Sequence, residues 1–183
     1  MKLTKLLHEK HEELEALWVD AVFKTYSEKA IPHLSSNADP FTNPVGNMVK
    51  EAAHCLFSAL SLDDITIDAV KQALDRFVKI RAVQDFTPSQ SVGVIYLIKP
   101  LLRSHILPAV DQHQLSDYLD LESRVDTLAL LAFDMYTKDR ETVAQIRIKE
   151  IRNQYAQLKR WAQHFNAQAP LGTFTGCGNQ GCK

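Results

Sequence analysis

The residues best suited to chemistry are two thiols near the end of the sequence. Cys177 and Cys182 are separated by four residues in a glycine-rich segment. Thiolates are nucleophiles and metal ligands, and the glycines would allow the two thiols to meet. Zinc and iron–sulfur sites normally need four ligands, so we expect no metal site in one chain and no cofactor. The pattern fits a redox or sulfur-relay dithiol, with an inert chain end as the alternative.

A second set of polar residues surrounds a predicted turn between two helices. Arg81 and Gln84 lie one helical turn apart, and Ser89 and Gln90 open the next helix. An arginine that faces a helix N-terminus can hold an anionic or polar ligand. The same residues could instead satisfy backbone groups at a tight turn, as buried polar groups must. The sequence leaves ligand binding and a structural role as alternatives.

Motifs of known enzymes are missing from the sequence. It contains no recognisable Ser-His-Asp set, phosphate-binding glycine loop, His-Glu-x-x-His motif or paired carboxylates. We therefore predict no catalytic residues and a protein that is not an enzyme. An axial haem ligand would need an apolar helical face, and His54 and His105 are the only candidates we identify.

The elements that position these residues are predicted to be helices. Apolar residues recur at helical spacing from Thr4 to about Glu28, and again within 44–60, 63–85 and 88–107. Asn43 before Pro44 predicts a helix start, with the proline in the first turn. The run Thr87-Pro88-Ser89-Gln90 predicts a complete capping box. The sequence therefore predicts an all-α protein.

The last predicted helix carries a heptad pattern. Apolar residues alternate steps of four and three at Ala144, Ile148, Ile151, Tyr155, Leu158, Ala162 and Phe165. Charged residues flank this stripe, which is typical of a helix that meets one partner helix. We predict a dimer or partner interface at Ile148, Ile151, Tyr155, Leu158 and Phe165, with packing onto the parent bundle as the alternative. An upstream series is out of phase, which predicts a kink or short break within 137–141.

Composition limits the class of protein. The 183 residues suffice for one domain, and 45% hydrophobic with 23% charged residues is ordinary globular usage. The net charge of −1 arises from scattered charges, so we expect no nucleic-acid partner. The start lacks a signal-peptide pattern, and the longest apolar run, 92–98, is shorter than the roughly 20 residues of a membrane span. An odd number of cysteines suits a reducing cytoplasm, where we expect the protein to act.

Three segments together resemble a known signalling family. They are 80–91 (IRAVQDFTPSQS), 43–46 (NPVG) and 126–136 (DTLALLAFDMY). Over roughly residues 4–160 the sequence resembles the N-terminal sensor domain of the RsbT co-antagonist family, of the RsbRD type. The Arg-x-x-Gln-x-x-x-Pro-Ser element is the most specific part of the resemblance.

The resemblance implies a globin-like bundle without haem, which we expect to contain about five to six helices. We expect a helical domain over 1–166, with its heptad helix at about 139–166, and a flexible tail over 167–183. Such domains are usually dimeric and fused to a phosphorylatable partner-switching domain or a histidine kinase. Because the sequence ends soon after the heptad helix, we expect a stand-alone member.

Stand-alone members are similar to small proteins found beside sulfur-metabolism complexes of anaerobic bacteria. The resemblance therefore implies a non-catalytic sensor or adaptor that regulates or assembles a partner complex. We expect a protein partner, a homodimer and peripheral association with a membrane-bound redox complex. The sequence does not specify a small-molecule ligand. The alternative is a thiol-based relay that acts through Cys177 and Cys182.

Overall fold

A computed structural model describes residues 3–36, 39–61, 66–84 and 86–168, and their side chains as far as 164. All regular elements in these ranges are helical, which confirms the all-α prediction. The α-helices are α1 (Leu3–Glu9), α2 (His11–Phe23), α3 (Ile31–Leu34), α4 (Pro44–Ser61), α5 (Ile67–Val83), α6 (Pro88–Tyr96), α7 (Ile98–His105) and α8 (Leu115–Gln168). Two short 3-10 helices, Leu107–Ala109 and Gln112–Gln114, precede α8. The two tail cysteines lie outside the described residues.

The described residues contain more α-helices than the five or six expected, because two predicted helices are divided and a short helix, α3, forms ahead of Pro44. The first predicted helix is divided into α1 and α2, which meet at Lys10. The helix predicted after Thr87 is divided into α6 and α7 at Leu97. Pro100 has no N–H and therefore offers no hydrogen bond to the carbonyl of Tyr96, and Leu97 instead donates to Val94 at 3.2 Å. This local tightening of the backbone explains the second division.

The predicted break within 137–141 does not occur. Over the described residues 115–168, α8 is one helix without an internal proline or glycine. The chain nevertheless forms two compact units, Met1–Thr142 and Val143–Lys183, and α8 contributes to both. The change of heptad phase therefore falls near the unit boundary, and the helical hydrogen bonding continues through it.

The core of the first unit is built around α2, α4, α5 and the first half of α8. Trp18 is fully buried, and its indole N–H donates to the carbonyl oxygen of Val94 at 2.8 Å. The first half of α8 contributes Tyr118, Leu121, Val125, Ala129, Ala132 and Tyr136 to the same core. These contacts fix the start of α8 firmly in the first unit.

Both predicted helix starts are confirmed. The Asn43 side-chain oxygen accepts from the Gly46 N–H at 2.9 Å, and its amide donates to the Leu34 carbonyl at 2.9 Å. Thr87 and Gln90 form the predicted capping box at the start of α6. These caps fix the ends of α4 and α6, and the second cap adjoins the predicted Arg81 site.

One stretch in the described residues, Pro88–Ala109, is long and apolar enough to cross a membrane by length and composition alone. Core helices of globular proteins meet the same criterion. Ile95, Ile98 and Leu102 from this stretch are fully buried in the first unit. About 33% of the stretch is buried in this way, so packing in the core accounts for the apolar character of that part.

Candidate functional site

Arg81 is a charged side chain that lies completely inside the core. It belongs to the last turn of α5, and its guanidinium carbon lies 4.0 Å from the ring centroid of Phe86. The corresponding distances are 5.3 Å to Tyr26 and 5.7 Å to Phe77. A cation near an aromatic face is attracted by the ring quadrupole, most strongly when water is excluded. We call these four residues the Arg81 box.

Hydrogen bonds connect the guanidinium to two further segments. Its Nη1 and Nη2 each lie 3.3 Å from Thr25 Oγ1, and Nη2 donates to the Gln90 carbonyl oxygen at 3.1 Å. The Arg81 Nε is buried and has no hydrogen-bond partner among the described residues. Burial lowers the pKa of Arg81 and raises the pKa of Tyr26. The guanidinium still remains charged at neutral pH, so the box holds a buried cation.

Two of the four predicted ligand residues meet in the structure. Arg81 contacts the backbone of Gln90, whereas Gln84 is exposed at the end of α5. The Gln90 side chain accepts from the Thr87 N–H at 3.0 Å, and Ser89 Oγ lies 3.1 Å from Thr87 Oγ1. These contacts agree with the structural alternative, in which the polar groups stabilise a turn. Ligand binding by this set stays a prediction.

The aromatic and hydroxyl partners of Arg81 were not predicted from the sequence. Thr25 precedes Arg81 by 56 positions, and Tyr26 follows Thr25. Phe86 is close in sequence, but its separation from Arg81 does not match one helical turn. This set of aromatic rings and hydrogen-bond acceptors around an arginine forms only when α2, α5 and α6 are packed together.

An apolar groove lies between α6 and the first half of α8. Its volume is about 520 Å³, and its lining residues are Pro88, Ser89, Val92, Gly93, Tyr96, Ala129, Leu130 and Phe133. Leu130 is 64% exposed and Phe133 is 47% exposed. Large exposed apolar side chains that line one groove are typical of interaction surfaces.

The heptad stripe is the second exposed apolar surface. Ile148, Ile151, Tyr155 and Leu158 are between 49% and 70% exposed on α8. The side chain of Phe165 lies outside the described residues, although its backbone is part of the helix. In the described part of the second unit, 143–164, every side chain from 144 onward is exposed. We call Ile148, Ile151, Tyr155 and Leu158 the α8 seam.

The histidines considered as haem ligands both contact glutamates. His105 Nδ1 lies 3.2 Å from Glu13 Oε1, and His54 Nδ1 lies 3.0 Å from Glu15 Oε1. This is a polar setting, unlike the apolar face that an axial haem ligand would need. His54 and Glu15 also lie close to His11, and these three residues could hold a metal ion.

Comparison with known proteins identifies the family. Residues 12–151 match the model of the RsbT co-antagonist protein rsbRD N-terminal domain. No curated protein and no solved structure matches the chain. The matched range contains the Arg81 box, the apolar groove and the start of the α8 seam. The family points to a regulatory role in signalling that involves protein–protein interaction. The chain belongs to the RsbT co-antagonist rsbRD N-terminal domain family.

Proposed function

We propose that this chain is a non-catalytic cytoplasmic signalling adaptor that pairs with a second copy and regulates or assembles a partner complex. Membership of the rsbRD N-terminal family supports a signalling role. The exposed α8 seam is the observation that carries the proposed mode of action. Four large side chains at heptad spacing lie on one stripe of a helix, where they fit the seam of a coiled coil.

The seam suits a weak dimer. Complete burial of a large apolar side chain is worth about 1.5–3 kcal/mol, so burying the exposed half is worth about 1 kcal/mol. Four side chains from each of two copies therefore supply about 8 kcal/mol. Association itself costs roughly 4–15 kcal/mol. The two magnitudes are comparable, so the pairing is sensitive to a signal or a competing partner.

Charges beside the seam also indicate a weak dimer. With Ile148 and Tyr155 at heptad position a, Arg147 occupies position g and Arg152 occupies position e. In a parallel dimer, Arg147 of one copy faces Arg152 of the other, and like charges weaken the pair. We therefore propose that the chain exchanges its second copy for a partner helix with acidic residues at these positions.

Sedimentation equilibrium tests the pairing. We expect wild type to show a monomer–dimer equilibrium that tightens with added salt, because salt screens the facing arginines. Ile151→Glu should be monomeric, since it places a charge in the seam. Asn153→Glu, on the opposite side of the helix, is the matched control and should behave like wild type. Equal masses for wild type and Ile151→Glu at every concentration would contradict the proposal.

The thiol relay stays a second hypothesis, favoured by the spacing of Cys177 and Cys182 in the sequence. Both residues lie outside the described residues. A link to sulfur metabolism and association with a membrane-bound redox complex likewise rest on the resemblance alone. Changing both cysteines to serine distinguishes the two hypotheses. An adaptor should keep partner binding, whereas a relay should lose its function with the fold unchanged.

A further inference from the structure

Two imidazoles and one carboxylate converge between α2 and α4. Glu15 Oε1 lies 2.5 Å from His11 Nε2 and 3.0 Å from His54 Nδ1. One ligand atom from each of the three residues lies within 4.8 Å of the others. His11 and Glu15 are four residues apart in one helix, so they share a face, and His54 comes from the middle of α4.

We propose that His11, Glu15 and His54 bind a divalent first-row transition-metal ion of the zinc class. Two imidazole nitrogens and one carboxylate oxygen form a donor set that such ions accept, with a further position open. Magnesium and calcium fit poorly, because they prefer several oxygen ligands. The inference does not depend on the proposed signalling role, since it rests only on this cluster.

Partial burial of His11 and Glu15 favours binding of a metal ion. The side chains of His11 and Glu15 are 14% and 20% exposed, whereas His54 is 67% exposed. A negative charge shielded from water in this way attracts a cation more strongly than a charge in bulk solvent. The exposed His54 leaves a route of entry from solvent.

A cavity of about 430 Å³ adjoins the cluster and gives room for a water or another ligand. His8, Glu9 and Glu12 line it together with His11 and His54. Lys5 Nζ lies 3.7 Å from Glu9 Oε1 and offsets that charge, so the extra negative charge at the entrance comes mainly from Glu12 and raises the local concentration of cations.

An ion would take the place of protons in this cluster. In the contacts that the structure shows, both imidazoles present a nitrogen to the same carboxylate oxygen. A divalent ion would replace the protons between these atoms and accept the nitrogen lone pairs instead.

Calorimetric titration with zinc chloride tests the site in the full chain carrying Cys177→Ser and Cys182→Ser, which removes tail thiols as competing ligands. We expect one zinc per chain. His11→Gln, Glu15→Gln and His54→Gln should each weaken binding by about tenfold or more, because each removes a direct ligand.

His105→Gln is the matched control, because His105 also contacts a glutamate but lies outside the cluster. Its zinc affinity should equal that of the parent. Circular dichroism should show that all variants keep their helices. No zinc binding, or binding that the three substitutions leave unchanged, would overturn the site. Sedimentation on the same samples reports the dimer separately, so failure of the metal site is distinguishable from failure of the proposed function.

Discussion

Replacing Arg81 tests whether a buried cation holds α2, α5 and α6 together. Arg81→Ala removes the apolar stem, the cation–aromatic contacts and the hydrogen bond to the Gln90 carbonyl. The stem contributes about 0.8 kcal/mol for each of its buried methylenes. A desolvated cation–aromatic contact is worth about 2 kcal/mol. Removing the buried charge also removes its desolvation cost, which offsets part of these contributions. We therefore expect the free energy of unfolding to fall by about 3 kcal/mol.

A second substitution separates charge from packing. Arg81→Met keeps an unbranched apolar chain in the Arg81 box but leaves the Gln90 carbonyl without its charged donor. A hydrogen bond to a charged group is worth about 1.5–3 kcal/mol, and removal of the desolvated charge offsets part of its loss. We expect Arg81→Met to lose about 1 kcal/mol, clearly less than Arg81→Ala.

Urea unfolding followed by circular dichroism measures these changes. In thermal unfolding of a protein of this size, the same loss of about 3 kcal/mol corresponds to a Tm that is lower by roughly 6–12 °C. If Arg81→Ala keeps the wild-type free energy of unfolding, the Arg81 box does not stabilise the fold. If Arg81→Met is as unstable as Arg81→Ala, the packing of the stem has been overestimated.

Three further changes test the packing and the electrostatics of the first unit. A Cβ at Gly46 would lie 2.4 Å from the Leu34 carbonyl oxygen, so Gly46→Ala should cost about 3 kcal/mol in chemical unfolding. A Cβ at Gly93 would meet no atom within 4 Å, so Gly93→Ala should instead stabilise by up to about 1 kcal/mol through helix propensity. Hydrogen bonds from Arg103 lower the pKa of Glu122. The pair therefore stabilises the fold fully above the unfolded-state pKa of about 4.3, and this stabilisation is lost as the pH falls through the lower pKa of the folded state. Glu122→Gln should therefore cost less than about 1 kcal/mol at pH 7, and the difference from wild type in urea unfolding should vanish in acid. A difference that persists in acid would show that the charge is not its cause.

Local signals predicted the parts of the fold that depend on neighbouring residues. The caps at Asn43 and Thr87 follow from side chains within three positions of the groups they satisfy. The division at Leu97 was missed, although Pro100 is visible in the sequence, because the strong apolar period suggested an uninterrupted helix. A periodic pattern of apolar residues does not show that one backbone hydrogen-bond donor is missing.

The sites could be predicted from the sequence to different degrees, because some of them form only when distant segments pack together. Exposure of the α8 seam agrees with a heptad pattern that the sequence already displayed. The aromatic partners of Arg81 could not be found in this way, because Tyr26 lies on a distant segment. The cluster around Glu15 also needed the packing of α2 against α4, since only His11 and Glu15 have a recognisable helical spacing.

Site-specific disulfide formation tests the proposed pairing of two α8 seams most directly. In a chain with its three native cysteines changed to serine, Leu158→Cys should cross-link two copies under mild oxidation, because a parallel seam places the same residue of both helices side by side. Asn153→Cys, on the opposite side of the helix, should not cross-link. Efficient disulfides at Leu158 alone would agree with the account. Equal cross-linking at both positions, or none at Leu158, would contradict it.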